Sequence, residues 1–222
     1  MTKTYLKSYN MPYIWEGVLR KKEKYILKPN PGSYGKEFVI PLGIVIKLLR
    51  LAKTTKEVKN ILQNKNVLVN KKKVNDVKYA LGFTDVLDIN GLVYRVVLNE
   101  KGRLNFVQID KDQNLKPAKV IGKTILKKEK VQLNLNDSRN LIVNEGKYNV
   151  GDTIVLELPK QNIKEVIELK KGTNIIITKG KRTGDKGVVK EIKEKQLIYT
   201  NKENKDVKTL KDYVFALPKI LQ

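Results

Sequence analysis

Residues 41–73 read PLGIVIKLLRLAKTTKEVKNILQNKNVLVNKKK, and this stretch decides the architecture of the amino-terminal half. A helical spacing relates its first apolar residues, which are Leu42, Val45, Ile46 and Leu49. Pro41 suits the first turn of that helix. A second helix is predicted to begin after Thr54, because Glu57 three residues later completes the pattern of a capping box.

A short strand and a basic turn follow the two helices. The run Val67-Leu68-Val69 predicts the strand, because it is apolar and β-branched at both ends. The polar and basic residues 70–73 predict the turn, and residues 85–89 predict a further strand. The order helix, helix, strand, basic turn and strand therefore predicts one small domain.

The remainder of the chain favours β-structure. Residues 92–98 and 103–109 predict a hairpin around the turn at 99–102. Further short strands, whose spacing favours a small barrel or sandwich, are predicted at 119–121, 124–126, 130–135, 140–143, 153–158 and 165–168. A separate unit is predicted with strands at 175–177, 188–189, 197–199 and 205–210. The fold class is therefore α+β and mostly β.

The composition excludes several classes of site. The sequence contains no cysteine and no histidine, which excludes disulfides, thiolate chemistry, Cys/His zinc sites and imidazole catalysis. The most apolar stretch, 42–52, is interrupted by Lys47 and Arg50, so no run reaches the roughly 20 apolar residues of a membrane-spanning helix. The first ten residues, MTKTYLKSYN, lack the apolar centre of a signal peptide. We therefore expect a cytoplasmic protein, and catalysis by carboxylates alone stays possible.

Positive charge is spread along the whole chain. The formal net charge is +23, with +5 over residues 1–40 and +6 over each of 41–90, 91–171 and 172–222. An excess of this size makes a polyanion the expected partner, and its even distribution predicts that every module touches phosphate. The alternative is that lysine is simply an abundant solubilising residue, but glutamate would then rise with it.

Residues 1–40 are predicted to form an extended arm that is rich in aromatic and basic residues. Pro12, Pro29 and Pro31 disfavour helices there. Aromatic rings interleaved with cations suit stacking on bases and pairing with phosphates. Some of these rings are also expected to pack on the protein itself, and Trp15 is the first candidate. The candidate cations of the arm are Lys3, Lys7, Arg20, Lys21 and Lys22.

A basic loop punctuated by glycines lies near the carboxyl terminus. Residues 176–192 read IITKGKRTGDKGVVKEI, an apolar strand, the loop and a second strand. Gly180, Gly184 and Gly187 are expected to allow positive φ angles and a close approach of the backbone to phosphate. The loop does not match the Walker pattern of nucleotide-binding proteins, because no Gly-Lys-Ser/Thr follows at the required distance and a strand replaces the helix.

Both basic segments resemble known RNA-binding modules. The segment 176–192 resembles a KOW motif, which occurs in ribosomal proteins and transcription elongation factors. The helix, helix and turn unit resembles the S4-type RNA-binding domain, although Lys72 stands at a turn position where that family often has glycine. In that family the two helices and the turn face the RNA. The matching residues here are Lys47, Arg50, Thr54, Lys56, Lys59, Lys65, Asn70, Lys71, Lys72 and Lys73.

The order of the modules resembles the S4e family of small-subunit ribosomal proteins of archaea and eukaryotes. Matching segments include KPNPG at 28–32, GFTDV at 82–86 and VQLNLNDSRN at 131–140. The family often has histidine where Tyr5 stands, so a histidine contact is not expected here. The resemblance implies a division into an arm (1–40), an S4-type domain (41–91), a central β-rich domain (92–171), a KOW-type SH3-like barrel (172–217) and a tail (218–222).

The resemblance implies a structural constituent of the small ribosomal subunit with no catalytic activity, no cofactor and no metal. Its partners would be ribosomal RNA and neighbouring ribosomal proteins, with no membrane and no small-molecule substrate. The candidate residues of the KOW-type loop are Lys179, Gly180, Lys181, Arg182, Gly184 and Lys186. Two alternatives stay open: a KOW-type regulator of transcription or translation outside the ribosome, and an enzyme that acts on RNA. The latter would use Asp137 with Arg139 or Asp85 with Asp88, although turn chemistry explains these aspartates more simply.

Overall fold

A computed structural model describes residues 5–64, 66–127, 130–144 and 148–221 of the chain. It contains two compact units. The first comprises Met1–Val97 and Arg103–Asn114, and the second comprises Leu98–Gly102 and Leu115–Gln222. In the part of the chain that is described, no helix is both long and apolar enough to span a bilayer.

Among the described residues before position 114, there are two α-helices and nine short strands. The helices are α1 (Leu42–Leu48) and α2 (Thr55–Asn64). The strands are β1 (Leu6–Lys7), β2 (Tyr25–Ile26), β3 (Val39–Pro41), β4 (Val67–Val69), β5 (Lys72–Lys73), β6 (Ala80–Gly82), β7 (Val86–Ile89), β8 (Leu92–Leu98) and β9 (Leu104–Gln108). Short 3-10 helices occur at Ser8–Asn10 and Lys36–Phe38.

The strands of this half form three antiparallel arrangements. The largest is a sheet with the order β5-β4-β7-β8-β9, and two smaller sheets pair β1 with β2 and β3 with β6. Helix α1 buries Leu42, Val45 and Ile46, and helix α2 buries Val58 and Leu62. The helical spacing predicted from the sequence is therefore confirmed for Leu42, Val45 and Ile46, whereas Leu49 lies just after the end of α1 and is half-buried.

A second five-stranded antiparallel sheet starts at Leu115 and has the order β12-β11-β10-β13-β14. Its strands are β10 (Leu115–Ile125), β11 (Val131–Leu135), β12 (Asn140–Val143), β13 (Thr153–Glu157) and β14 (Asn162–Ile167). The first half of β10 pairs with β13 and the second half with β11, with a register shift between Val120 and Gly122. A bulge of this kind bends a strand, so one long strand can serve two neighbours and curl around the apolar cluster that includes Leu133 and Ile154.

The last sheet has the order β18-β17-β16-β15-β19. Its strands are β15 (Asn174–Ile177), β16 (Lys186–Lys193), β17 (Gln196–Asn201), β18 (Asp206–Leu210) and β19 (Val214–Ala216). Further 3-10 helices lie at Lys211–Tyr213 and Lys219–Leu221. The core of this sheet includes Ile175, Val189 and Tyr199.

The structure corrects three predictions of local structure. The two strands predicted at 119–121 and 124–126 are parts of β10, because the bulge absorbs the irregularity at Gly122. The turn predicted at 70–73 is narrower: only Asn70 and Lys71 have positive φ, of 51° and 64°, and Lys72 lies in β5. Strands β1, β2, β3, β6 and β19 were not predicted. The division into five domains stays a prediction.

Candidate RNA-binding surfaces

The amino-terminal arm is anchored to the first unit and also presents rings to solvent. Trp15 is 3% exposed, and its Nε1–H donates to the carbonyl oxygen of Val39 at 2.6 Å. The prediction that Trp15 packs on the protein is therefore confirmed. Four other rings of the arm are between 46% and 62% exposed, namely Tyr5, Tyr9, Tyr13 and Tyr25.

Cations accompany the exposed rings. Lys7 Nζ lies 5.8 Å from the ring centre of Tyr9, and the guanidinium of Arg20 lies 5.9 Å from that of Tyr13. Arg103 is 4.7 Å from the same Tyr13 ring and donates to its hydroxyl at 3.0 Å. Arg103 was missed by sequence reasoning, because 90 residues separate it from its ring. The arm thus presents exposed rings paired with cations, an arrangement that suits stacking and phosphate binding together.

The start of helix α2 is fixed by the predicted capping box. The Glu57 N–H donates to Thr54 Oγ at 3.2 Å, and the Glu57 carboxylate accepts from the Lys53 N–H at 2.8 Å and from the Thr54 hydroxyl at 2.9 Å. These hydrogen bonds, first of all the one from Lys53, lower the pKa of Glu57 below its ordinary value. The Thr54 hydroxyl, a candidate RNA ligand, is therefore occupied in the cap.

The helical cations surround this cap. Lys47 is exposed at the end of α1, and its Nζ donates to Thr55 Oγ at 3.1 Å. A cleft of about 380 Å³ is lined by Lys47 and Thr55 together with Lys22 of the arm. The structure therefore brings Lys22, a candidate of the arm, to the same cleft as Lys47, a candidate of helix α1. The other candidates of these segments that are exposed are Arg20, Lys21, Arg50, Lys56 and Lys59.

The candidate residues of the β4–β5 turn differ in exposure. Asn70 is 7% exposed, and its side-chain amide donates to Asp85 at 2.8 Å and accepts from the Val86 N–H at 3.1 Å. These contacts hold the turn against β7. Lys72 and Lys73 are exposed, and their strand β5 forms the edge of its sheet. Lys71, which like Asn70 has a positive φ angle, is half-buried.

The carboxy-terminal loop projects its charges from a rigid base. Its exposed residues are Lys179, Gly180, Lys181 and Arg182. Gly180 has φ +89°, and the hydroxyl of Thr183 donates to the Gly180 carbonyl oxygen at 2.6 Å, which closes the turn. Arg182 Nη1 lies 3.9 Å from Asp185 Oδ2, and that carboxylate accepts from the buried Tyr199 hydroxyl at 2.7 Å. Lys186 is half-buried at the start of β16.

Two glycines of the loop have structural roles. Gly184 is buried with φ +93°, and a β carbon there would lie 2.2 Å from the carbonyl oxygen of Asn99 and 2.5 Å from the Gly102 nitrogen. The close approach at Gly184 is therefore to the turn at residues 99–102. Gly187 was expected to have positive φ, and this is wrong: it lies in β16, where a β carbon would meet the Thr200 carbonyl oxygen at 2.3 Å.

Two lysines of β10 are buried, which the sequence did not reveal. Lys116 Nζ lies 2.9 Å from Asp137 Oδ2, and the Arg139 Nε lies 3.3 Å from the same oxygen. Lys119 is 7% exposed and donates to the carbonyl oxygens of Lys211 and Asp212, both at 3.0 Å. Burial is the main cause that lowers the pKa of Lys119 to about 8. These cations stabilise the second unit and are withdrawn from solvent.

The aspartates considered for catalysis also have internal partners. Asp85 accepts from the Gly82 N–H at 2.8 Å, and Asp88 accepts from the Gly91 N–H at 2.9 Å, which are turn contacts. Asp137 is only 2% exposed, within its ion pair. Residues 5–64, 66–127, 130–144 and 148–221 contain no cluster of three or more potential metal ligands. The candidates Lys3 and Lys65 lie outside the described residues.

Comparison with known proteins identifies the family. The sequence model of the S4 domain matches residues 41–87, and that of the ribosomal family S4e matches residues 90–163. The chain is 33% identical over 228 residues to the small ribosomal subunit protein eS4 of Methanocella arvoryzae, covering 99% of this chain and 96% of that protein. The chain belongs to the S4e family of ribosomal proteins.

Other S4e proteins support the same assignment. The eS4 protein of Nanoarchaeum equitans is 35% identical over 203 residues, which cover 90% of this chain and 86% of that protein. The crystal structure of the 30S ribosomal protein S4e of Thermoplasma acidophilum is 33% identical and superposes with a TM-score of 0.68, over 81% of this chain and 94% of that one. The S4 domain contains α1, α2, β4 and β5, and therefore the cations that surround the cap. The KOW resemblance of the last unit stays a prediction.

Proposed function

We propose that this chain is a structural constituent of the small ribosomal subunit, where it binds ribosomal RNA through several basic surfaces and has no catalytic role. The observation that carries the proposal is the similarity to proteins named small ribosomal subunit protein eS4, over 90–99% of the chain. The ribosome containing it would be cytoplasmic. Neighbouring ribosomal proteins would be its protein partners.

Electrostatics supplies the affinity in this proposal. The net charge is +23, and the exposed cations of the S4 domain release counterions when they contact phosphate. Three surfaces contribute: the aromatic arm, the helices around the Thr54 cap, and the loop at 179–186. Because the three are linked in one chain, weak contacts at each combine into tight binding. Recognition would depend on RNA shape and backbone more than on base sequence.

A structural role accounts for the acidic residues without catalysis. Asp85 and Asp88 hold turns, and Asp137 neutralises a buried lysine. No cofactor or metal is required for any of these roles. The alternative regulator outside the ribosome is less favoured, since the similarity to eS4 proteins extends over both units.

Sedimentation tests the proposal directly. A tagged chain expressed in an archaeal host is expected to sediment with small ribosomal subunits in a sucrose gradient, and to cross-link to their RNA under ultraviolet light. The proposal fails if the chain sediments away from small subunits at physiological salt. A fraction containing RNA polymerase would instead support the regulatory alternative.

A charge variant tests the S4 surface within the same experiment. We expect replacement of Lys47, Arg50, Lys56 and Lys59 by Gln to release the chain from subunits at a lower salt concentration, because four phosphate contacts are weakened. The matched control replaces four exposed lysines of the second unit by Gln, namely Lys123, Lys160, Lys164 and Lys171. Equal release of the two variants would mean that net charge alone matters and that the S4 surface has no special role.

A further inference from the structure

The second unit contains a cleft beside the basic loop. It has a volume of about 420 Å³ and lies between residues 179–182, the end of β18 and the 3-10 helix Lys211–Tyr213. Clefts that bind small molecules have volumes of about 300–1,000 Å³. The size therefore suits one nucleotide and is too small for a base-paired helix.

Apolar groups form part of the lining of this cleft. Ile177 is buried there, Leu210 is 42% exposed, and Tyr213 is half-buried. The loop backbone packs directly on the tyrosine, because a β carbon at Gly180 would lie 3.1 Å from a carbon of the Tyr213 ring. The apolar part of the lining thus combines aliphatic carbons with an aromatic ring that packs on the loop backbone, which suits stacking of a planar base.

Cations form another part of the lining. Lys179, Lys181 and Arg182 come from the loop, and Lys208 comes from β18. All four residues are exposed. The carboxylate of Asp185, 3.9 Å from Arg182, offsets one of these charges and also accepts from Tyr199. The cleft keeps a net positive charge, which suits a phosphate group.

Two neutral polar side chains complete the lining. Gln196 opens β17 and pairs across the sheet with Leu210, and Thr209 lies beside it in β18. An amide offers both donors and an acceptor, so Gln196 can bind the polar edge of a base. Together with the apolar groups and the cations, these side chains match the face of a base, its polar edge and a phosphate group.

We infer that this cleft binds a single unpaired nucleotide of RNA, with its base against Leu210 and Tyr213 and its phosphate beside Lys208 and the loop cations. The inference rests on the proposed function and specifies the class of RNA element that this unit takes. Unpaired bases in bulges and loops can be turned outward, whereas bases within a duplex present no free face. The nucleotide would be selected for being unpaired, because Gln196 can hydrogen-bond the polar edge of a base only when that edge is not already paired.

Binding to two model RNAs tests the inference. The probes are a hairpin RNA with one bulged nucleotide and the same hairpin without the bulge, each measured with the full chain by fluorescence anisotropy. The variants are Gln196→Leu and Lys208→Gln, both at exposed positions. The matched control is Lys193→Gln, which removes the same charge from the same sheet outside the cleft.

We expect the wild-type chain to bind the bulged hairpin at least about fivefold more tightly than the paired one, as stacking of one base allows. Gln196→Leu and Lys208→Gln should remove this preference and leave binding of the paired hairpin unchanged, apart from the charge effect that Lys193→Gln also shows. Equal preference in variant and wild-type chains overturns the inference, and so does tighter binding of a free nucleoside monophosphate than of the bulged hairpin. Neither result changes the expected cosedimentation with small subunits. The sedimentation experiment therefore tests the proposed function independently of this inference.

Discussion

Lys116 and Asp137 form an ion pair of 2.9 Å in which the side chains are only 2% and 1% exposed. The pair joins β10 to the turn between β11 and β12, and Arg139 adds a second cation at 3.3 Å. Removal of one partner leaves an uncompensated buried charge, which costs about 3–5 kcal/mol. The stability of the second unit therefore depends on an ion pair that is buried beneath its polar and basic surface.

Asp137→Ala is expected to lower the free energy of unfolding by about 3–5 kcal/mol, because Lys116 then stays buried without its partner. Urea denaturation followed by circular dichroism measures the loss. The double variant Lys116→Met with Asp137→Leu is the control, and it should recover part of the loss, because Lys116 no longer leaves a buried charge whereas Arg139 still loses its carboxylate partner. A loss below about 1 kcal/mol in Asp137→Ala would contradict the buried pair.

The stability of the chain should depend on pH through Lys119. Its pKa is lowered to about 8 in the folded chain from 10.5, mainly by burial, so between pH 8 and pH 10.5 the unfolded chain holds the extra proton. Stability is therefore gained as pH rises through this window, by at most about 3 kcal/mol. The measurement compares urea denaturation of wild type and Lys119→Met from pH 7 to 11. Parallel curves over that range would show that Lys119 has an ordinary pKa.

Gly184→Ala should destabilise the second unit more than Gly172→Ala. Both glycines have positive φ, +93° and +85°, so each alanine has the backbone cost of about 1–2 kcal/mol. Only at Gly184 does the new β carbon also meet the Asn99 carbonyl oxygen, since nothing lies within 4 Å at Gly172. The difference between the melting temperatures of the two variants, measured by thermal denaturation, reports the cost of that contact. Equal melting temperatures would mean that the turn at 99–102 moves away freely.

Replacement of Lys181, Arg182 and Lys186 by Ala should weaken RNA binding and flatten its salt dependence. Each lost phosphate contact reduces the slope of log K against log salt by about 0.7–0.9. The matched control replaces Lys190, Lys193 and Lys195 by Ala, three exposed lysines of the same sheet region. Filter binding to small-subunit RNA at several salt concentrations gives both slopes. An unchanged slope in the loop variant would show that the loop does not touch phosphate.

Thr54→Ala should act on stability, and Lys56→Ala on RNA binding. Loss of the cap at Thr54 costs about 1 kcal/mol, because the Glu57 N–H loses its acceptor. Lys56 is exposed two residues after Thr54 and makes none of the hydrogen bonds of the cap. Denaturation and RNA affinity are measured for both variants. If Thr54→Ala lowers affinity while its unfolding curve is unchanged, the hydroxyl binds RNA and the cap is dispensable.

Local patterns predicted the fold where neighbours in sequence are neighbours in space. The capping box of Thr54 and Glu57 and the strand at 92–98 follow from residues within one element. The single strand β10 was read as two because a bulge can accommodate Gly122, and sequence spacing does not distinguish a bulge from a break. The basic turn was placed too widely for a similar reason, since a two-residue turn needs only Asn70 and Lys71.

Contacts between distant residues were not predictable from the sequence. Lys119 meets carbonyl oxygens 92 and 93 residues away, and Arg103 meets Tyr13 across 90 residues. A count of charges includes Lys116 and Lys119 among the surface cations, although both residues are buried. The sequence therefore predicted which segments carry the candidate residues. It did not predict that Lys22 and Lys47 line the same cleft, which only the structure shows.

Strand β5 consists of two lysines, Lys72 and Lys73, at the open edge of a five-stranded sheet. An edge strand offers unpaired backbone groups to any extended chain that approaches it. Two like charges on so short a strand repel a second copy presenting the same edge, and so protect the free chain from aggregation before it meets RNA. A polyanion reverses this repulsion, so the residues that keep newly made copies apart are the ones that RNA would neutralise during assembly.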